Sequence, residues 1–277
     1  MDLRAANEIL IDSRPLSPWR LLPDLFRYRD LLFVIAQREI QVRYSQTVLG
    51  VAWALIQPLG SMLLAWAVFG KIAKLHTSDV PYPLFCLIGT QIWTYFSGGF
   101  ANASQSIISH TNIIGKIYFP RIILPLGVVL AAGMDLLISL TFLGLCLLWF
   151  GYYPEPIFIL AMPLLLVGLL ILTSGAGILG AALCSRYRDL RHAIPFLIQM
   201  GFFVTPIVYS TSIIPDRYQE LFQLNPLCGY IDTMRAIAFH TPLPWESLVT
   251  ALCTSLVIWV IGVFLFQKIE HTMADAL

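Results

Sequence analysis

The chain has 277 residues, of which 58% are hydrophobic and 12% charged, a formal net charge of +1 and a mean hydropathy of +0.77. A soluble domain carries roughly 25% charged residues. Half that share cannot cover a water-facing surface, and lipid is the natural solvent for the excess apolar side chains. The near-neutral balance argues against nucleic acid as a partner, and the apolar runs leave no room for a second soluble domain. Five cysteines (Cys86, Cys146, Cys184, Cys228, Cys253) and five histidines (His76, His110, His192, His240, His271) are scattered without a CxxC pair. The spacing supports neither a disulfide framework nor a metal site.

Residues 1–30 hold Arg4, Arg14, Arg20, Arg27, Arg29 and three prolines. They lack the apolar stretch of about 7–15 residues that a signal peptide needs. Residues 1–26 therefore read as a cytoplasmic tail, and the first span as an uncleaved anchor. Over Arg27–Tyr44, Phe33, Ala36, Ile40 and Tyr44 recur at helical spacing among Gln37, Arg38, Glu39, Gln41 and Arg43. This pattern predicts an amphipathic helix in the cytoplasmic interface. A soluble helix packed elsewhere is the alternative.

A spanning helix needs about 20 mostly apolar residues. Six stretches read as spans on this basis, at about 47–72, 83–107, 122–150, 156–183, 193–209 and 248–266. Six spans place both termini on one side. With that side cytoplasmic, thirteen Lys and Arg residues lie inside (Arg4, Arg14, Arg20, Arg27, Arg29, Arg38, Arg43, Lys116, Arg121, Arg186, Arg188, Arg191, Lys268). Four lie outside (Lys71, Lys74, Arg217, Arg235), as the positive-inside rule requires.

Between the second and third spans, residues 109–120 suit a short helix lying across the cytoplasmic face. Residues 210–247 are too polar to span yet carry Leu221, Phe222, Leu224, Leu227 and Ile231. Two short re-entrant or interfacial helices broken at Asn225-Pro226 fit this mixture, because proline cannot extend the helix before it. A plain periplasmic loop is the simpler alternative. In the fourth span, Thr173-Ser174-Gly175-Ala176-Gly177 and Gly180-Ala181-Ala182 permit close helix approach.

Neither Phe69-Gly70-Lys71-Ile72 nor Ile114-Gly115-Lys116-Ile117 has the spacing of a phosphate-binding P-loop. No nucleophile elbow, HExxH or paired-carboxylate site appears, so the chain reads as a non-enzyme with no cofactor of its own. Uphill transport would need a partner or an ion gradient. The intramembrane ionisable candidate is Asp135, alone in the third span without a visible partner. Among the dense aromatics, Trp53, Trp66, Tyr95, Phe96 and Phe100 are candidates for a conduit wall. Trp93 and Trp149 fit an interfacial belt.

The segments LFVIAQREIQVRYSQTVLGVAWALIQPL (32–59), LIGTQIWTYFSGGFANASQSIISHTNIIGKIYFPRIILPL (87–126), CSRYRDLRH (184–192) and LNPL (224–227) together resemble ABC-2 type permeases that export polysaccharides, including O-antigen, capsule and teichoic-acid exporters. The likeness runs from about residue 26 to the C-terminus, which makes 27–277 one transmembrane domain and leaves 1–25 without a placed signal.

The resemblance implies an all-α polytopic inner-membrane protein of six transmembrane helices with both termini cytoplasmic. An amphipathic interface helix, a cytoplasmic coupling helix and periplasmic re-entrant gate helices (about Pro215–His240) would complete it. It further implies a homodimer joined to two nucleotide-binding subunits that carry ATP and Mg, and a glycan on undecaprenyl pyrophosphate as substrate. On this basis His110, Thr111, Asn112, Ile113, Ile114, Lys116 and Ile117 would couple to the ATPase, with Arg186, Arg188 and Arg191 on the same face. Arg27, Arg29 and Arg43 could attract a lipid pyrophosphate; positive-inside anchoring is their simpler role. An exporter of a smaller lipophilic compound, a proton-coupled carrier using Asp135 and a membrane-embedded enzyme are the alternatives. Replacing Asp135 by Asn would abolish transport by the carrier and spare an ATP-driven exporter.

Overall fold

Long apolar runs without internal charge have one way to satisfy their backbone in lipid, which is to form helices. The computed structural model describes residues 26–45, 49–72, 80–114, 119–153, 156–187 and 189–276, with only the backbone of 51, 113, 157–159, 212, 216 and 271–276. Among these, helices α1 (Arg29–Tyr44), α2 (Trp53–Ala65), α3 (Tyr82–Ser109), α4 (Thr111–Ile114) and α5 (Ile123–Trp149) come first. They are followed by α6 (Pro156–Arg186), α7 (Leu190–Val204), α8 (Asp216–Gln223), α9 (Pro226–Phe239) and α10 (Trp245–Ala276). The described residues contain no strand.

Among the described residues, four helical stretches are long and apolar enough to cross a bilayer: Trp53–Ile72, Ile123–Trp149, Leu160–Arg186 and Trp245–Glu270. Two of the six anticipated spans differ from these. Helix α3 has 28 residues but carries Thr90, Gln91, Thr94, Ser97 and Asn102. It is the central element, packed between α5, α6 and α2, so most of its surface meets protein and its composition need not match lipid. Helix α7 has 15 residues. It stops at Thr205, whose ψ of 135° is extended, because Pro206 disfavours helical backbone in the residue before it.

The small residues of α6 hold the bundle closed. A Cβ on Gly175 would lie 2.6 Å from the Trp259 Cα, and one on Gly262 would lie 2.5 Å from the Gly175 carbonyl. Helices α6 and α10 therefore cross backbone to backbone, as small residues allow. On the other side of α6, Gly177 and Gly180 face Ala103 and Ser104 of α3. The core has two main parts. One is built on Phe85, Leu87, Ile88, Leu165, Leu169 and Tyr230 at one end of the bundle. The other, on Ile35, Ile107, Ile123, Ile178, Phe266 and Ile269, lies at the end carrying α1.

Helix α1 runs beside the first half of α5. Ile35 fills the space over Gly127, where a Cβ would come within 2.6 Å of its Cγ2, and eight residues further along both helices Arg43 meets Asp135. The buried stripe is Ile35 and Ala36, with Glu39 and Arg43 half-buried beyond them, whereas Phe33 is exposed. Of the face predicted from Phe33, Ala36, Ile40 and Tyr44, Ala36 is buried and Ile40 and Tyr44 are half-buried while Phe33 turns outward, and two charged residues predicted to meet water point toward the bundle.

The region after α7 is helical rather than a plain loop. Asn225 caps α9 by accepting from the Leu227 amide at 3.1 Å, and Pro226 occupies the first helical turn. This is why Asn-Pro both ends α8 and starts α9. Helix α9 is buried along most of its length, and its Arg235 is 6% exposed, not the loop charge that topology suggested. The guanidinium donates to the carbonyls of Pro206 (3.0 Å) and Ile207 (2.7 Å), and it lies 3.4 Å from the Phe85 ring centroid.

Candidate functional site

Polar groups on three apolar helices converge on a cavity of about 370 Å³. Helix α3 contributes Gln91, Thr94, Tyr95, Gly98, Gly99 and Asn102; helix α5 contributes Ala132, Asp135, Leu136 and Ser139. Trp53, Ala54, Gln57 and Pro58 of α2 close one wall, with Arg43 and Tyr44 at the end of α1. Pro58 has no N–H to give Ala54, which leaves a helix carbonyl without its usual donor on the same wall. The residues of α3 recur at 91, 94, 95, 98 and 102, which is one helical face. That spacing is visible in the sequence, from which Tyr95 alone of the five is singled out as a conduit candidate.

Gln91 is 2% exposed and donates from Nε2 to the Ser139 carbonyl at 2.8 Å. Its Oε1 is buried and has no hydrogen-bond partner. A buried polar atom without a partner costs about 1–3 kcal/mol, so Gln91, held by its one bond to α5, leaves an unmet acceptor in the packing of α3 against α5. Asp135, anticipated as a lone carboxylate, is paired: Arg43 Nη1 and Tyr44 Oη each donate to one of its oxygens. Both members of the ion pair are about three-quarters buried, with side chains 29% and 26% exposed.

A second polar cluster lies where α3 ends. His110 is 8% exposed; its Nε2 is 3.1 Å from Glu39 Oε1 and its Nδ1 is 2.9 Å from the Ser106 carbonyl. Nδ1 also lies 3.1 Å from the Ser109 hydroxyl: an imidazolium donates to Glu39 and to the Ser106 carbonyl, whereas a neutral ring donating to Glu39 from Nε2 accepts from Ser109. The Glu39 carboxylate beside it holds the His110 pKa above the usual histidine value, with burial opposing and the Ser106 carbonyl assisting. Glu39 is in turn pulled below its ordinary value, first by the His110 hydrogen bond. His110 also begins α4, since its carbonyl accepts from the Ile114 amide at 3.2 Å.

The anticipated conduit aromatics separate into three places. Trp53 and Tyr95 line the cavity. Phe96 and Phe100 stack at 5.9 Å in a ladder that continues through Trp93 to Phe202 of α7. Trp93 is 8% exposed and so belongs to that ladder rather than to an interfacial belt. Trp66 stands apart, with Lys71 4.3 Å over its ring.

Of the anticipated coupling residues, Asn112 is exposed and Thr111 half-buried. Ile114 packs on the core at the α1 end, and His110 is turned inward. Lys116, Ile117 and Arg188, like the tail 1–25, lie outside the described residues, as does the Ile113 side chain. Arg186 is exposed, and the buried Nε of Arg191 has no hydrogen-bond partner. Arg27 and Arg29 are exposed, the latter beside Asp30 at 3.6 Å, while Arg43 is committed to Asp135. The structure therefore does not bring the three arginines together.

The family model described as ABC-2 type transporter matches residues 30–239. The chain is 28% identical over 248 residues to the O-antigen export system permease protein RfbA of Klebsiella pneumoniae, covering 90% of this chain and 95% of that protein. It is 26% identical over 261 residues to the protein of the same name in Myxococcus xanthus, covering 93% and 99%. The Polysialic acid transport protein KpsM of Escherichia coli is 24% identical over 202 residues, covering 72% and 77%.

Proposed function

This chain belongs to the ABC-2 type transporter family, and from that premise we propose that it is the permease subunit of an exporter of lipid-linked polysaccharide. It is a multi-pass membrane transport subunit and not itself a catalytic enzyme. Energy comes from separate nucleotide-binding subunits, which hold the ATP and Mg. The observation that carries the reading is the cavity. Hydrogen-bonding groups and two aromatic faces, Trp53 and Tyr95, sit among apolar helices. A sugar presents hydroxyls to amides and C–H faces to rings, and weak successive contacts let a polymer leave as well as enter. A small lipophilic cargo would offer no hydrogen bond to Asn102 and Gln57.

Six crossings of the inner membrane, with both termini cytoplasmic, follow if α3 and α7 cross together with the four apolar stretches; α8 and α9 then form the periplasmic gate. Helix α3 is shielded by its neighbours, which supports its crossing despite its polarity. The second copy fits against α2. Only 11% of the α2 span is buried, against 61% of the α6 span, and Trp53, Leu64 and Ile72 are exposed along it. A dimer across this face would bring two cavities toward one conduit. The exposed Asn112 of α4 supports docking of the ATPase there, and the exposed Arg27 and Arg29 remain available to a lipid pyrophosphate.

The test is reconstitution with the ATPase subunit in liposomes. ATP-dependent glycan export that persists when the proton gradient is dissipated supports the exporter; export that follows the gradient without ATP supports the carrier. Loss of function on Asp135→Asn no longer separates the two, since Arg43 depends on that carboxylate. Asn112→Trp is the sharper probe of docking, because Asn112 is exposed whereas Ile114 is bound up with the permease core.

A further inference from the structure

Two ion pairs lie on the same face of α1, one helical turn apart. Glu39 holds His110, the residue from which α4 starts. Arg43, four residues on and about 6 Å along the axis, holds Asp135 in the cavity wall. Between the helices, Ile35 seats over Gly127, where the missing side chain lets α1 and α5 approach closely. Helix α1 is thus fastened at one end of this face to the segment that follows α3 and at the other to the middle of α5.

We propose that α1 is a charged relay: Glu39 and Arg43 are positioning residues that carry a displacement of α4 into the cavity through the His110–Glu39 and Arg43–Asp135 pairs. This rests on the exporter reading, in which α4 is where the ATPase pushes, and adds how the push reaches the cargo. A rigid helix transmits displacement along its axis with little loss. Ion pairs between helices suit the ends of such a lever, since they are directional and can shift between partners where packed methyl groups cannot. Tyr44 donates to the same carboxylate and Trp53 lines the same cavity, so movement of α1 changes both the polar and the aromatic wall. The other charges facing the first pair are Arg38 and Arg43 on α1 itself.

The experiment uses the full permease reconstituted with its ATPase in liposomes loaded with a polyprenyl-pyrophosphate oligosaccharide. It compares wild type, Glu39→Gln, Asp135→Asn and the double variant for glycan exported per ATP hydrolysed, with Gln41→Ala on the exposed side of α1 as control. Each single change is expected to lower export per ATP about tenfold, within the usual range of coupling between sites, while hydrolysis continues. The double variant should be no worse than the poorer single, because both cut one path. Independent sites would instead multiply to about a hundredfold, which overturns the relay, as does unchanged export in Glu39→Gln. Should Glu39→Gln fail to assemble, Glu39→Asp, which keeps the charge but withdraws it by one methylene, takes its place in the same cycle. A wild-type complex that hydrolyses ATP and exports nothing overturns the exporter reading itself. Wild-type export with multiplicative variants overturns the relay alone.

Discussion

Arg43 and Arg235 are both arginines in an apolar bundle, but they are held in different ways. Arg235 is nearly sealed, and its strongest acceptors are the backbone carbonyls of Pro206 and Ile207, with Phe85 beneath the guanidinium and Asp232 3.7 Å away. Backbone carbonyls do not titrate or change rotamer, so this arginine fixes the turn after α7 against α9 and α3. Arg43 holds a side-chain carboxylate on another helix, beside a cavity and partly exposed. Its bonds can be exchanged for others. A charge bound to the backbone stabilises a fold, whereas a charge bound to a side chain at a cavity is free to take part in a change of state.

The comparison is most directly broken at Arg235. Arg235→Met should orphan two carbonyls and cost about 3–5 kcal/mol, the range for removing one partner of a buried charged network. A large drop in thermal midpoint in detergent would show it, and a drop no greater than that for Arg43→Gln would erase the distinction. Gly175→Leu sets a purely steric scale beside it. Overpacking against Trp259 should cost about 1–3 kcal/mol, read by the same melt.

At Arg43 the prediction is one of compensation. Arg43→Gln and Asp135→Asn should each cost about 1–3 kcal/mol, and the double variant less than their sum, since each single leaves a charge without its partner. Strict additivity in the melting cycle would mean that the pair contributes nothing.

The His110–Glu39 pair gives a pH test. His110 is raised above 6.5, so its contribution is complete below that value and is lost as pH rises through the folded pKa. Glu39 is lowered below 4.5, so its contribution is complete above that value and is lost as pH falls through the folded pKa. The pair is therefore strongest between 4.5 and 6.5. The stability gap between wild type and Glu39→Gln should be wider near pH 6 than near pH 9, and an equal gap would remove the imidazolium from the account. The smallest effect is expected for Asn225→Ala, about 1 kcal/mol for the lost cap. Little of it should depend on pH, because its partners, the Leu227 amide and the Thr205 hydroxyl, do not titrate in that range.

Much of the fold was legible in the sequence because its signals are local. Apolar runs located the four strongly apolar spans, the first with a start about six residues early, Asn225-Pro226 marked the break between α8 and α9, and Gly175 in its small-residue run marked a close crossing. The site was less legible. Gln91, Tyr95 and Asn102 share a visible helical period, yet only the walls supplied by α2 and α5 turn that stripe into a cavity. Glu39 and Arg43 were assigned to a water-facing side because helical period alone cannot say which neighbour a face will meet.

The sequence by itself determined the solvent, the helices and the family likeness, since each is written in the spacing of neighbouring residues. Tertiary structure decided the partners: Arg43 with Asp135, 92 residues apart, Glu39 with His110, and Arg235 with the carbonyls after α7. In an apolar bundle a polar group must find a complement wherever packing places one, and that choice is made by the contact between helices, not by the order of residues within them.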